Sequence, residues 1–169
     1  MDTKPYYIDQ TVYTVAVEDW YILAVLNSVP AFEWLKTTCA VLGDEEQGGR
    51  LRILTQYLEA LPIPDASKSE RKSIGKLAQD AQRLHAERRN FVEKFLRNLG
   101  VDPAQSGSRN VLEQPWVLTT ADITAYQGKR TTSNLRRITD TRDETIELSQ
   151  QIEKVEREID ELVTKLYGL

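Results

Sequence analysis

The apolar positions of the chain follow three spacings in turn. The first run, YYIDQTVYTVAV at 6–17, is rich in Tyr, Val, Ile and Thr and partly alternates, which predicts a β-strand. Helical spacing follows. In VEDWYILAVLNS, Trp20, Leu23 and Leu26 recur with Ile22 and Val25 flanking them. Acidic residues stand at its start, where a helix dipole favours them. This helix should end near Asn27–Ser28. Ser28 is then placed to cap a second helix, with Pro30 in its first turn and Phe32, Leu35, Cys39 and Leu42 as its apolar face. GDEEQGGR at 43–50 is a loop by composition, and LRIL at 51–54 alternates like a short strand.

The stretch QYLEALPIP, 56–64, stops this pattern. Thr55 is placed to cap a single helical turn over Gln56 to Ala60. Leu61 and Ile63 each precede a proline, which pushes them out of the helical region, so 61–64 is expected to be extended. Leu58, Leu61 and Ile63 are expected to stay buried while the motif hands the chain to the next element in a set direction.

The third spacing is the heptad. A helix should start at Ser67 or Ser69 and run to about Asn98, with Gly100 at the usual C-terminal position. Ile74, Leu77, Ala81, Leu84, Arg88, Phe91 and Phe95 form a seam interrupted by Arg88. A last helix covers roughly 132–166, with Leu148, Ile152, Val155, Ile159, Leu162 and Leu166 as its seam and Thr141 and Thr145 in register upstream. Between the two, 101–130 is irregular, punctuated by Pro103, Gly107, Pro115 and Gly128. A short helix is expected from TTADITAY, and Trp116, Leu118, Ile123 and Tyr126 are expected to pack on the long helices. Two helices of this length should pair as an antiparallel coiled coil. Pairing of the same seams between two chains, as a homodimer, is the competing solution. The expected fold is therefore mainly α with a small β component (α+β). A small N-terminal α/β unit, 1–65, precedes a helical spacer, 66–169, with long helices at about 69–98 and 132–166.

Composition narrows the class. Hydrophobic residues make up 40% and charged residues 28%, as in a soluble chain. The longest apolar run is far too short to span a bilayer, and the N-terminus lacks the basic and apolar regions of a signal peptide. A cytoplasmic chain without membrane contact is the expectation. The single cysteine, Cys39, lies in an apolar stretch and reads first as a buried small hydrophobe rather than a nucleophile. The single histidine, His85, lies mid-helix, and nothing in the sequence brings the two together.

The net charge of −4 hides an asymmetry. Residues 1–65 carry 4 basic and 10 acidic side chains, and 66–100 carry 9 basic and 4 acidic. A partner with phosphates would prefer the middle of the chain. The plainer alternative is that the long helices are simply solvated.

No dinucleotide or phosphate-binding glycine loop, no HExxH and no metal-like His/Cys/Asp cluster is present. The acidic groups Asp44-Glu45-Glu46 and Asp160-Glu161 read as solvated surface. The chain by itself is therefore not expected to be an enzyme. Basic residues remain. Arg50, Arg52 and Gln56 flank the short strand and the turn after it, and Arg on guanine and Gln on adenine are matched major-groove pairs. Lys68, Arg71, Lys72, Lys76, Arg83, Arg88 and Arg89 on the first long helix are better suited to phosphates than to bases, as are Arg130, Arg136 and Arg137 at the start of the last one.

YILAVLNSVPAFEWL, GDEEQGGRLRIL and TQYLEALPIP occur in that order, and the chain ends on EREIDELVTKLYGL. This resembles the C-terminal part of the target-recognition (Taq-like specificity) domain of type IIG restriction-modification enzymes and related adenine-specific DNA methyltransferases. It is also similar to type I specificity subunits, in which a Leu-Pro-Ile-Pro-like exit leads into a coiled-coil spacer. The resemblance covers about 1–65 and 145–169; 66–100 is compatible, and 101–130 is not explained. It implies a non-catalytic target-recognition and spacer portion that positions a methyltransferase polypeptide on double-stranded DNA, beside a catalytic domain or subunit. S-adenosylmethionine, Mg2+ and any endonuclease activity would belong to other domains, because the Asn-Pro-Pro-Tyr, cofactor-glycine and nuclease motifs are absent here. A coiled-coil oligomerisation or protein-interaction module without DNA contact is the alternative.

Overall fold

The computed structural model describes residues 17–42, 50–107, 110–127 and 132–169. Among the described residues the protein is mainly helical with one two-stranded sheet. It divides into two compact units. One holds the described residues up to Gln79 together with Arg157–Leu169, and the other is Asp80–Glu156. All but the last residue of the expected strand at 6–17 and of the expected loop at 43–50, and Arg130, lie outside the described residues.

In the first unit, α1 (Trp20–Leu26) starts at Asp19, whose carboxylate accepts the Tyr21 amide at 2.8 Å. It buries Tyr21, Ala24 and Val25, while Trp20, Leu23 and Leu26 are half-buried. The inward face is thus rotated from the expected one. Apolar residues on nearly every side of this helix let either stripe face inward, and the Tyr21 hydroxyl, bonded to the Pro64 carbonyl at 2.6 Å, favours the second.

Helix α2 (Val29–Thr38) is capped by Ser28 as expected. The Ser28 Oγ accepts from the Ala31 amide at 3.5 Å and donates to the Val25 carbonyl at 2.7 Å. Ala31 and Leu35 are buried, but Phe32 is 52% exposed, against expectation. The helix also ends before Leu42. The Thr37 and Thr38 hydroxyls both donate to the Trp34 carbonyl at 2.8 Å, local bonding that competes with helix continuation, and Cys39 turns extended. Ala40–Leu42 then forms β1, antiparallel to β2 (Arg50–Arg52), in the register Ala40↔Arg52, Val41↔Leu51, Leu42↔Arg50. The expected strand at 51–54 is present but starts one residue earlier and ends two residues earlier.

Helix α3 (Thr55–Ala60) is the expected single turn, with Thr55 as its first residue and no side-chain cap. Leu61 ends it in extended geometry and is buried. Leu58 is half-buried and Ile63 is exposed, so only Leu61 meets the expectation of full burial. The prolines keep this segment out of a helix, so its carbonyls need outside donors. Tyr21 supplies one to Pro64, and Tyr167 supplies one to Pro62 at 2.6 Å.

Helix α4 (Lys68–Leu99) opens on a capping box. The Ser67 amide donates to Glu70 at 2.7 Å and the Glu70 amide to the Ser67 hydroxyl at 3.3 Å. These bonds hold the Glu70 carboxyl below its ordinary pKa. Gly100, at φ 77°, ends the helix, with its amide on the Arg97 carbonyl and that of Val101 on Leu96. In the first unit Gly75 lets α4 approach α1, since a Cβ there would meet the Trp20 Cβ at 3.2 Å.

In the second unit one core joins Val92, Phe95, Leu96 and Leu99 of α4 to Leu112 and Leu118 of the connector. Ile123 of α5 (Thr120–Gln127) and Ile138 of α6 (Thr132–Tyr167) complete it. Between them the connector makes 3-10 turns at Pro103–Gln105, Val111–Glu113 and Pro115–Val117. Leu84, Leu148 and Ile152 form a second cluster, with Phe91 and Val155 against it. The heptad seam therefore closes within one chain. Thr141 and Thr145 are buried, as their register requires. Asn98 donates to Thr141 and Arg88 to Ser149, each at 3.0 Å, so α6 runs antiparallel to α4. Trp116 is half-buried and Leu118 and Ile123 are buried, but Tyr126 is 55% exposed on the outer side of α5, against expectation.

Candidate nucleic-acid interface

The β1–β2 ribbon displays Arg50 and Arg52. Two residues apart on a strand, they share one face, and both are exposed while Leu51 between them is half-buried. Gln56 is exposed in the first turn of α3, four residues on from Arg52. Neither arginine makes an ion pair among the described residues. An arginine-bearing ribbon of two strands has the width a DNA major groove admits. The pitch of a strand sets Arg50 and Arg52 about 7 Å apart, close to two base-pair steps.

The basic residues of α4 fall into distinct environments. Arg71 is half-buried, its guanidinium 3.3 Å from the Asp19 carboxylate and 4.7 Å from the Tyr21 ring centroid. Arg83 is exposed and pairs along the helix with Asp80 at 3.8 Å and Glu87 at 3.5 Å. Arg88 is half-buried. It stacks on Trp116 at 4.2 Å from the ring centroid, and burial lowers its pKa against the opposing fields of Glu156 and Glu153. Lys68, Lys72, Lys76 and Arg89 are exposed, as are Arg136 and Arg137 on α6. Lys72 and Lys76 border a shallow hollow of about 560 Å3 that Glu18, Asp19 and Trp20 also line.

His85 sits beside Arg88. A guanidinium has no acceptor, so the 3.2 Å contact from Arg88 Nη2 makes His85 Nδ1 the acceptor in the neutral ring. The Nε2–H then donates to Glu156 at 2.9 Å. This fixes the tautomer and uses both ring nitrogens. In the second unit an open groove of about 560 Å3 between α4 and the connector is lined by His85, Arg88, Arg89, Val92 and Trp116 among others. Cys39 belongs to the first unit, where it is buried and its thiol pKa is raised by that burial, as for an inert structural cysteine. Among the described residues no group of His, Cys, Asp and Glu side chains comes together as a metal site. None of their helices is long and apolar enough to cross a membrane.

Sequence reasoning missed the Tyr21 and Tyr167 hydroxyls and the Trp116 stack. A tyrosine at a helix end carries no periodic signal, and the partner of Arg88 comes from an irregular stretch. No family model, no curated protein and no solved structure matches the chain.

Proposed function

We propose that this chain is the non-catalytic target-recognition and spacer portion of a restriction-modification DNA methyltransferase polypeptide, positioning it on double-stranded DNA. The observation that carries the reading is the exposed, co-facial pair Arg50 and Arg52 on a two-stranded ribbon, with Gln56 beside it. Its chemistry suits direct readout in the major groove. The Leu-Pro-Ile-Pro exit supports the spacer role, because it leads from the ribbon's segment straight into a 32-residue helix. Within the chain, Leu84, Leu148 and Ile152 of the two long helices pack together, as a self-contained helical spacer requires. The catalytic partner, S-adenosylmethionine and Mg2+ belong to the proposed remainder of the polypeptide.

The test is duplex binding by the full chain at two salt concentrations, with light scattering on the same sample. Binding that weakens steeply with salt and is lost in Arg50→Glu/Arg52→Glu supports the reading. A stable dimer that binds no duplex at low salt sinks it.

A further inference from the structure

Of the basic side chains on α4, Lys68, Lys72, Lys76 and Arg89 make no ion pair among the described residues, and the three lysines stand in one row. Arg71 and Arg88 are held by Asp19 and Tyr21, and by Ser149, His85 and Trp116. Arg83 is paired with two carboxylates on its own helix. Lys68, Lys72 and Lys76 are exposed and make no ion pair among the described residues. They stand four residues apart. Each step advances about 6 Å along the helix axis and rotates by about 40°, so the three make one stripe about 12 Å long. One strand of a duplex presents a phosphate every ~3.4 Å of axis, so this length faces three or four phosphates.

The stripe begins on a capped helix end that packs on α1. The capping box of Ser67 and Glu70 fixes the start of the helix. At Gly75, α4 lies tight against the start of α1. Of the two carboxylates that line the hollow beside Lys72 and Lys76, Asp19 is paired with Arg71 at 3.3 Å, and Glu18 is the other. Lysine is also the fitting residue type, a hydrated point charge that holds a phosphate without reading a base.

Resting on the DNA reading above, we propose that Lys68, Lys72 and Lys76 form a phosphate clamp that grips one strand of duplex DNA independently of sequence. Base choice is left to Arg50, Arg52 and Gln56. Arg71 and Arg88 take no part in DNA contact; they hold the fold.

The experiment is fluorescence anisotropy of the full chain on a labelled 20-base-pair duplex, titrated from 50 to 200 mM salt, with circular dichroism of every variant. Each Lys→Gln substitution should make the slope of log affinity against log salt shallower by about 0.9, and the triple variant by about 2.7, equally on unrelated sequences. Arg71→Gln and Arg88→Gln should lower the thermal midpoint and leave the slope unchanged. A folded triple variant with the parent's slope overturns the clamp, and if Arg50→Glu/Arg52→Glu still loses binding, the DNA reading survives alone. Equal slope changes from the lysine and the Arg71 or Arg88 variants overturn the division of roles. A parent chain that binds no duplex at 50 mM salt overturns both readings. Lysine-dependent binding to phosphatidylserine vesicles, without lysine dependence on DNA, overturns the clamp in favour of a lipid surface.

Discussion

The Tyr167 hydroxyl donates to the Pro62 carbonyl at 2.6 Å, across 105 residues of sequence. Tyr21 makes the matching bond to Pro64, so the Pro-Ile-Pro segment is held by one hydroxyl from α1 and one from the end of α6. Tyr21→Phe removes the donor to a part-buried carbonyl and should cost about 1–2 kcal/mol in urea unfolding at pH 7, whereas Tyr167→Phe frees the exposed Pro62 carbonyl to water and should cost less than about 1 kcal/mol.

The same pair gives the protein an alkaline limit. Burial raises both phenol pKa values, at Tyr21 against the opposing field of Arg71, and at Tyr21 the charges of Tyr167, Asp65 and Asp19 add to the rise. The folded state therefore holds these protons more tightly than the unfolded chain. That stabilisation is complete below the unfolded value near 10 and is lost as pH rises through the folded values. The urea midpoint should fall more steeply above about pH 10 in the parent than in the Tyr21→Phe/Tyr167→Phe variant. Equal slopes would remove the two phenols as the cause.

Gly75 lies mid-helix, where alanine would ordinarily stabilise by about 1 kcal/mol. Its new Cβ would stand 3.2 Å from the Trp20 Cβ, an atom fixed to the backbone of α1. Gly75→Ala should give no gain in thermal midpoint, and Gly75→Val should lose about 2–3 kcal/mol through overpacking. A rise in the midpoint of Gly75→Ala would show that α1 moves away freely.

Arg88 joins a ring and a hydroxyl that are both largely out of water. Lysine keeps the charge but loses the planar stack on Trp116 and the fork toward Ser149 and His85. Arg88→Lys should cost about 1–2 kcal/mol, seen in chemical unfolding, with a blunted Trp fluorescence change. A variant as stable as the parent would mean that the stack contributes nothing.

On DNA, Arg50→Ala and Arg52→Ala should each lose about 1–3 kcal/mol of preference for one base pair, at positions two steps apart. Competition binding across single-base variants of the preferred site measures this. Loss spread evenly over all positions would demote both arginines to phosphate contacts.

Much of the helical part was legible in one dimension. Heptad spacing and Gly100 placed the long helices to within a residue or two of their ends, and Ser28 placed the start of α2, because caps and periodic burial act between near neighbours. The turn before Leu61 was legible for the same reason, since proline sterics act on the adjoining residue. The candidate basic residues could be read from the sequence as types, but their roles could not. Whether an arginine is free or spent depends on partners far away in sequence, such as Asp19 for Arg71 or Trp116 for Arg88.

Local rules failed where local preferences nearly tied. Helix α1 has apolar residues on most sides, and only the reach of Tyr21 to Pro64 chose the inward face. Ala40–Leu42 continued a helical apolar stripe, but pairing with Arg50–Arg52 made it a strand. The sequence by itself determined where the two long helices begin and end and that their seams must meet. Tertiary structure alone decided which faces turn inward, that the seam closes within one chain, and which cations stay free. Those choices turn on hydrogen bonds and burial between residues distant in the chain, which no local pattern encodes.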